Sequence, residues 1–220
     1  MNSHELVWYV GYGSNTLPAR LDAYLGGSAA DSRFGAHAAP RTLSLPREHR
    51  WITVPHAVYF AGVSARWTGA SAFLSLTPSP DSDSIARAYL LDWAALDHIS
   101  TVENAQTEQT LDVRASLPTR PGAWALLPVE VSPEPHRGKY DAALRLDDID
   151  GVPAMTLTSS HVRERGVPAM TLTSSHVRER GVPADRYRDV IAEGLRDNPF
   201  GVDPDAYLAA AVERSAVVRR

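Results

Sequence analysis

Leu6-Val7-Trp8-Tyr9-Val10-Gly11-Tyr12-Gly13-Ser14-Asn15-Thr16 is the stretch that decides how this chain is read. Residues 5–12 form a near-continuous apolar run of β-forming side chains, the pattern of a buried central strand. The run stops at Gly13-Ser14-Asn15, and the periodicity then becomes helical. Thr16 is placed to cap that helix, Pro18 falls in its first turn, Leu21, Tyr24 and Leu25 share one face, and Gly26-Gly27 ends it. Glycines at a strand-to-helix junction let the backbone approach a ligand closely, and the free N–H groups of such a turn favour an anion. The plainest alternative is a tight turn with no ligand. A dinucleotide fingerprint would need G-x-G-x-x-G, and Thr16 stands where the third glycine belongs. A hydrolase elbow would need G-x-S-x-G, whereas Ser14 follows Gly13 directly and Asn15 is no glycine.

Working outward, residues 28–56 carry many Pro, Arg, Ser and Ala with little periodicity and read as a long irregular excursion with one short strand at most. Further strands are expected at 58–61, 71–76 and 87–91, and later at 111–113, 123–131 and 142–146. Asp92 is placed to cap a helix over 93–107, in which Trp93, Leu96, Ile99 and Val102 recur at helical spacing. Two amphipathic helices, 185–197 and 204–215, close the chain. Strands early, helices gathered late and no regular βαβ alternation give an α+β fold: a small mixed β-barrel with flanking helices, in one domain spanning residues 1–220.

Residues 151–165 read GVPAMTLTSSHVRER, and residues 166–180 repeat them letter for letter. Two identical copies do not make a solenoid, which needs more units and distinct caps. They read as a recent tandem duplication or an engineered insertion. Packing alone does not choose between copies with the same side chains. The polar Asp147–Gly151 turn joins the preceding strand to the first copy by the shorter loop, so the first copy is expected in the sheet and the second to bulge out. The entropic preference is small, about 0.6 kcal/mol per doubling of loop length. A different reading makes the extra copy a strand for exchange between chains, giving a homodimer through an exposed edge.

Composition narrows the classes. A formal charge of −4 lacks the basic footprint of a nucleic-acid binder. With no cysteine, thiol catalysis, Fe–S clusters and Cys-ligated zinc are excluded. The eight histidines contain no H-x-x-x-H or H-x-H pair, and no metal site is expected. The acidic run at Asp147, Asp148 and Asp150 lacks the length and terminal Glu of a calcium loop. No apolar run approaches the roughly 20 residues of a membrane helix, and no signal segment opens the chain, so a cytoplasmic location is expected.

Tyr9-Val10-Gly11-Tyr12-Gly13-Ser14-Asn15 resembles the Y-x-x-Y-G-S-N signature of γ-glutamylcyclotransferase-like proteins, with Gly11 replacing a common Ala. Trp67-Thr68-Gly69-Ala70 is similar to that family's W-x-G-G segment, with Ala70 in place of its second Gly. Arg87-Ala88-Tyr89-Leu90-Leu91, followed by a helix ending in Val102-Glu103-Asn104, resembles the strand-helix unit that delivers the family's acidic catalytic residue. The likeness runs over residues 6–215 apart from one repeat copy.

The resemblance implies conversion of a small-molecule γ-glutamyl amide or amine to 5-oxoproline and free amine, without a cofactor. The substrate's α-amino group attacks its own γ-carbonyl, so proximity is supplied within one molecule. Glu103 would be the general base and acid, its pKa raised by partial burial. Tyr12, Gly13, Ser14 and Asn15 would hold the substrate through the loop's backbone amides. Glu108 competes with Glu103 from just beyond the helix, and a glutamate near a helix end is often only solvated surface. Arg20 reads as an exposed helix arginine that could add positive potential. The alternative to an enzyme is a non-catalytic protein of the same fold that binds a small amino-acid-like anion.

Overall fold

Strand β1 (Leu6–Gly11) runs through the middle of a six-stranded mixed sheet. On one side it pairs antiparallel with β5 (Ser84–Asp92), on the other parallel with β8 (Val152–Thr158). β2 (His49–Val54) adds to β5 at one edge, and β7 (Ala142–Ile149) then β6 (Trp124–Leu126) continue beyond β8 at the other. This computed structural model describes residues 5–38, 40, 42–79, 83–106, 110–130, 138–161 and 179–216.

The unbroken apolar run of β1 has a direct cause, because both faces of the strand are covered. Trp8 and Val10 enter one core with Ile191 and Leu195 of α4 (Asp185–Leu195) and Leu208 of α5 (Pro204–Ala216). Val7 and Tyr9 enter a second core with Leu21 and Tyr24 of α1 (Pro18–Gly26) and Leu96 and Ile99 of α2 (Trp93–Glu103). Alternation along a strand sends neighbouring side chains to opposite faces, so two cores demand apolar residues at every position.

The expected barrel does not close. β3 (Val58–Ala61) and β4 (Ser71–Leu74) form a separate hairpin rather than extending the sheet. Side chains occupy the backbone groups of β4 that another strand would need: Thr158 Oγ1 meets Leu74 N and O at 3.1 and 2.5 Å, and the Tyr140 hydroxyl donates to Ala72 O at 3.2 Å. On β3, Ser215 Oγ accepts from Phe60 N at 2.7 Å, and Phe60 O accepts from Gly181 N at 3.1 Å. The result is an α+β fold with an open six-stranded sheet.

The first repeat copy supplies β8, as its proximity to β7 implies. Asp150 and Gly151 both have positive φ, 52° and 74°, and link the closing pair Ile149–Val152. That is the two-residue turn whose twist suits a hairpin, and it sets the register of the first copy. In the sequence, the second copy's Gly166 follows Arg165 where the first copy's Gly151 follows Asp150. The expected bulging of the second copy falls largely on residues 162–178, outside the described residues.

Two other expectations change. Residues 111–113 are not a strand: Val113–Ser116 is a short helix, α3, with Asp97 Oδ1 accepting from Val113 N at 2.9 Å and Asp112 Oδ1 from Ala115 N at 3.0 Å. Thr16 is not the cap of α1; Leu17 holds that place, with Pro18 opening the helix. Among the described residues no helix is long and apolar enough to cross a membrane.

Candidate active site

β1 delivers the chain into a one-turn 3-10 helix, Gly13–Thr16. Gly13 has φ +58°, and a Cβ there would lie 2.8 Å from Ala72 Cβ, so both backbone angle and space call for glycine. Thr16 Oγ1 donates to Gly13 O at 2.8 Å, and the Tyr89 hydroxyl of β5 donates to Asn15 O at 2.9 Å. The turn is thereby held against the sheet. The amides of Gly13 and Ser14 lie at its start, where helical geometry provides no acceptor.

Glu103 is the last residue of α2, and its side chain turns inward, with only 10% of its surface exposed. Its Oε1 accepts from the Tyr24 hydroxyl at 2.7 Å and from Asn15 Nδ2 at 3.2 Å. Lys139 Nζ lies 3.6 Å from Oε2. Asn15 Nδ2 also donates to the Tyr9 hydroxyl at 2.9 Å, whereas the buried Asn15 Oδ1 has no hydrogen-bond partner. Two residues far apart in sequence, Asn15 and Glu103, thus meet directly.

They meet beside a cavity of about 410 Å³, whose lining includes Ser14, Arg20, Tyr24, Glu103, Lys139 and Tyr187. A recess of about 10 Å³, roughly one water molecule, lies behind it among Tyr9, Tyr12, Asn15 and Leu157. Ser14 and Glu103 line both spaces. Of the residues expected from sequence, Ser14 therefore faces the main cavity and Asn15 the recess. Tyr12 serves the scaffold, because its hydroxyl donates to Leu157 O at 2.7 Å. Gly13 contributes backbone. Glu108, the rival carboxylate, lies outside the described residues.

The expectation of a raised Glu103 pKa is overturned. Burial pushes the carboxyl up, but the Lys139 and Arg20 charges and the hydrogen bonds from Tyr24 and Asn15 outweigh it and hold it below the usual range. From sequence, Arg20 read as an exposed arginine and Lys139 had no place beside Glu103, because both come from other elements. Arg20 is not exposed either: it is 3% exposed. It donates to Phe34 O at 3.4 Å, to the Tyr24 hydroxyl and to His37 Nε2 at 2.8 Å. A guanidinium only donates, so Nε2 must carry a lone pair. Burial, then the Arg20 and Arg66 charges, push the His37 pKa down to about 4. Burial pushes the phenols of Tyr9, Tyr24, Tyr140 and Tyr187 up, with the Glu103 charge acting in the same sense, so all four are neutral.

Of the Trp67-Thr68-Gly69-Ala70 segment, Trp67 lines the cavity. Trp67 stacks on Tyr187 with ring centres 5.0 Å apart, and a Cβ at Gly69 would lie 2.5 Å from Ala184 N. Sequence reasoning passed over Tyr24, His37, Arg66, Lys139, Tyr140 and Tyr187. One signal was available: Lys139 is the chain's single lysine. Among the described residues no group of three or more His, Asp or Glu side chains is arranged to hold a metal ion.

No family model matches the chain, and no curated protein matches it. Among solved structures it is similar to an uncharacterized protein from Homo sapiens, with a TM-score of 0.50 and 13% identity, covering 94% of this chain and 88% of that one. A likeness at that identity extends to the fold alone.

Proposed function

We propose that this chain is a γ-glutamylcyclotransferase-type enzyme with a γ-glutamylcyclotransferase-like fold, working on a small γ-glutamyl amide in the cytoplasm. The observation that carries the reading is the contact between Asn15 and Glu103 at a cavity wall, with Asn15 Oδ1 buried beside it and unpaired. An ionised carboxylate and a bare amide oxygen together suit an ammonium group. The Gly13 and Ser14 amides suit the α-carboxylate of the same substrate.

Glu103, already ionised, takes a proton from the substrate's α-ammonium. The freed nitrogen bonds to the γ-carbon, and the carbonyl oxygen becomes an oxyanion. As it collapses, the bond to the leaving amine breaks and Glu103 returns the proton to that amine. The ring nitrogen, cationic after the attack, gives its surplus proton to the same amine, which departs as an ammonium. The products are 5-oxoproline and free amine, with no water consumed. A carboxylate with a depressed pKa is a weak base, so the α-carboxylate arriving nearby and the exclusion of water must raise it in the complex.

The test is release of 5-oxoproline from a panel of γ-glutamyl amides. Glu103→Gln, with the fold checked by circular dichroism, lowers the rate by at least about a hundredfold. No turnover across the panel sinks the enzyme reading. A second reading has support of its own in the depressed Glu103 pKa: a fixed counter-ion that binds an amino-acid-like zwitterion without reacting it. Tight binding without product would favour that one.

A further inference from the structure

Donors and acceptors around Glu103 can be assigned one by one. Arg20, buried on α1, donates from Nη1 to His37 Nε2 at 2.8 Å and to Phe34 O at 3.4 Å, and from Nη2 to the Tyr24 hydroxyl. Four residues apart on one helix, Arg20 and Tyr24 are set side by side by the helix itself. A guanidinium has hydrogens to give and no lone pair to receive one. The Tyr24 hydroxyl therefore accepts from Arg20, and its single proton is left for Glu103 Oε1, 2.7 Å away.

Asn15 closes the other approach to the same oxygen. Of the two hydrogens on its Nδ2, one serves Oε1 at 3.2 Å and the other the Tyr9 hydroxyl at 2.9 Å. A carboxylate oxygen has two lone pairs, and on Oε1 both are taken. A proton landing there would have to turn the Tyr24 hydroxyl back into the guanidinium. Oε2 differs. Lys139 Nζ stands 3.6 Å from it, an ion-pair distance too long for a hydrogen bond, and among the described residues no hydrogen bond reaches it. The other titratable groups that feel the Glu103 charge are Tyr9 of β1, Tyr140 just before β7, Tyr187 of α4, and the loop residues His37 and Arg66. None of them donates to either carboxylate oxygen among the described residues.

We infer that Arg20 is a positioning residue: acting through Tyr24, it holds Oε1 as a permanent acceptor and leaves Oε2 as the one oxygen that takes up and returns a proton. Resting on the base role proposed for Glu103, the substrate's ammonium then gives its proton on the Lys139 side of the carboxylate. The task suits arginine, whose fork donates in two directions at once and never accepts.

The Glu103 carboxyl is followed by carbon-13 resonance against pH in protein labelled at glutamate, its signal identified by its loss in Glu103→Gln. Tyr24→Phe removes one donor and raises the Glu103 pKa by at least about one unit. Arg20→Lys keeps the charge but not the fork. It raises that pKa by at least about half a unit when Tyr24 is present, and by no more than about 0.2 units in the Tyr24→Phe background. A pKa unmoved by Tyr24→Phe, or an Arg20→Lys shift of equal size in both backgrounds, overturns the inference. Where Arg20→Lys does not fold, the Tyr24→Phe shift alone decides. In turnover of γ-glutamylalanine, the acid limb of kcat/KM moves in Tyr24→Phe by the same amount as the carboxyl. A limb that stays put while the carboxyl moves overturns the assignment of proton transfer to Oε2. Absence of turnover sinks the γ-glutamyl reading, and the resonance shifts still decide the role of Arg20.

Discussion

Glu103 answers to two opposed influences, burial favouring its neutral form and a ring of donors and cations favouring its charged one. The donors and cations win, and that outcome has a measurable pH signature. Its folded pKa lies below the usual 4.5. The stability it contributes is therefore fully present above that value and is lost as pH falls through the folded pKa. The melting-temperature gap between the unsubstituted protein and Glu103→Gln is expected to be constant near neutrality and to shrink below pH 4.5. A gap that widens in acid would show that this sign is wrong. His37 gives an independent check. Its ring nitrogen accepts from Arg20, and its pKa is near 4 rather than 6.5. The unfolded chain takes up that proton first, so this group's contribution fades as pH drops from 6.5 towards 4. Arg66→Gln removes one of the charges responsible, and the His37 resonance should then titrate at higher pH. An unchanged titration would separate the two residues electrostatically.

At the level of elements, the joint between α4 and the 3-10 turn is one of the close contacts behind the site. Gly194 lies in the middle of a turn of α4, where alanine ordinarily gains about 1 kcal/mol. Here a Cβ would collide with Thr16 Oγ1 and lie 2.8 Å from Leu17 N. Gly194→Ala is expected to destabilise by about 1–3 kcal/mol in urea unfolding, as overpacking does. Gly26, at the end of α1, has nothing within 4 Å of its would-be Cβ. Gly26→Ala should gain about 0.5–1 kcal/mol. Two helix glycines with effects of opposite sign would confirm that contact, not propensity, decides; the same sign in both would refute it. How well each element could be read from sequence follows the same division between local and distant causes. β1 was legible because two cores impose apolar residues all along it, and α4 and α5 because their apolar stripes are periodic. α3 was misread because Leu111 and Val113 alternate like a strand, while the caps that make a helix are Asp112 and the distant Asp97. In the site, Gly13 and Asn15 were legible through backbone geometry. The burial of Arg20 was not, because it depends on Phe34 and His37, which lie in a stretch without periodicity.

For the whole molecule, closure of the barrel was beyond the sequence because it depends on which groups satisfy strand edges, and single hydroxyls of Thr158, Tyr140 and Ser215 do so here. The repeat has a larger consequence. Deleting residues 166–180 is expected to leave particle mass unchanged and to shift the melting temperature by only a few degrees, since loop length enters stability logarithmically. Light scattering coupled to size exclusion, with calorimetry, checks both. A change in mass would support exchange of the extra copy between chains. Deletion of either copy yields one and the same chain, yet the described residues draw on both. β8 and the Ser160–Asp141 contact come from the head of the first copy; the Glu179 carbonyl on Gly62 and the Arg180 guanidinium on Arg214 O come from the tail of the second. One working unit is assembled across a seam, and the surplus residues have no boundary of their own. For a protein engineer that seam is a ready-made port, where a tag or reporter can be spliced between two ends that are already fastened.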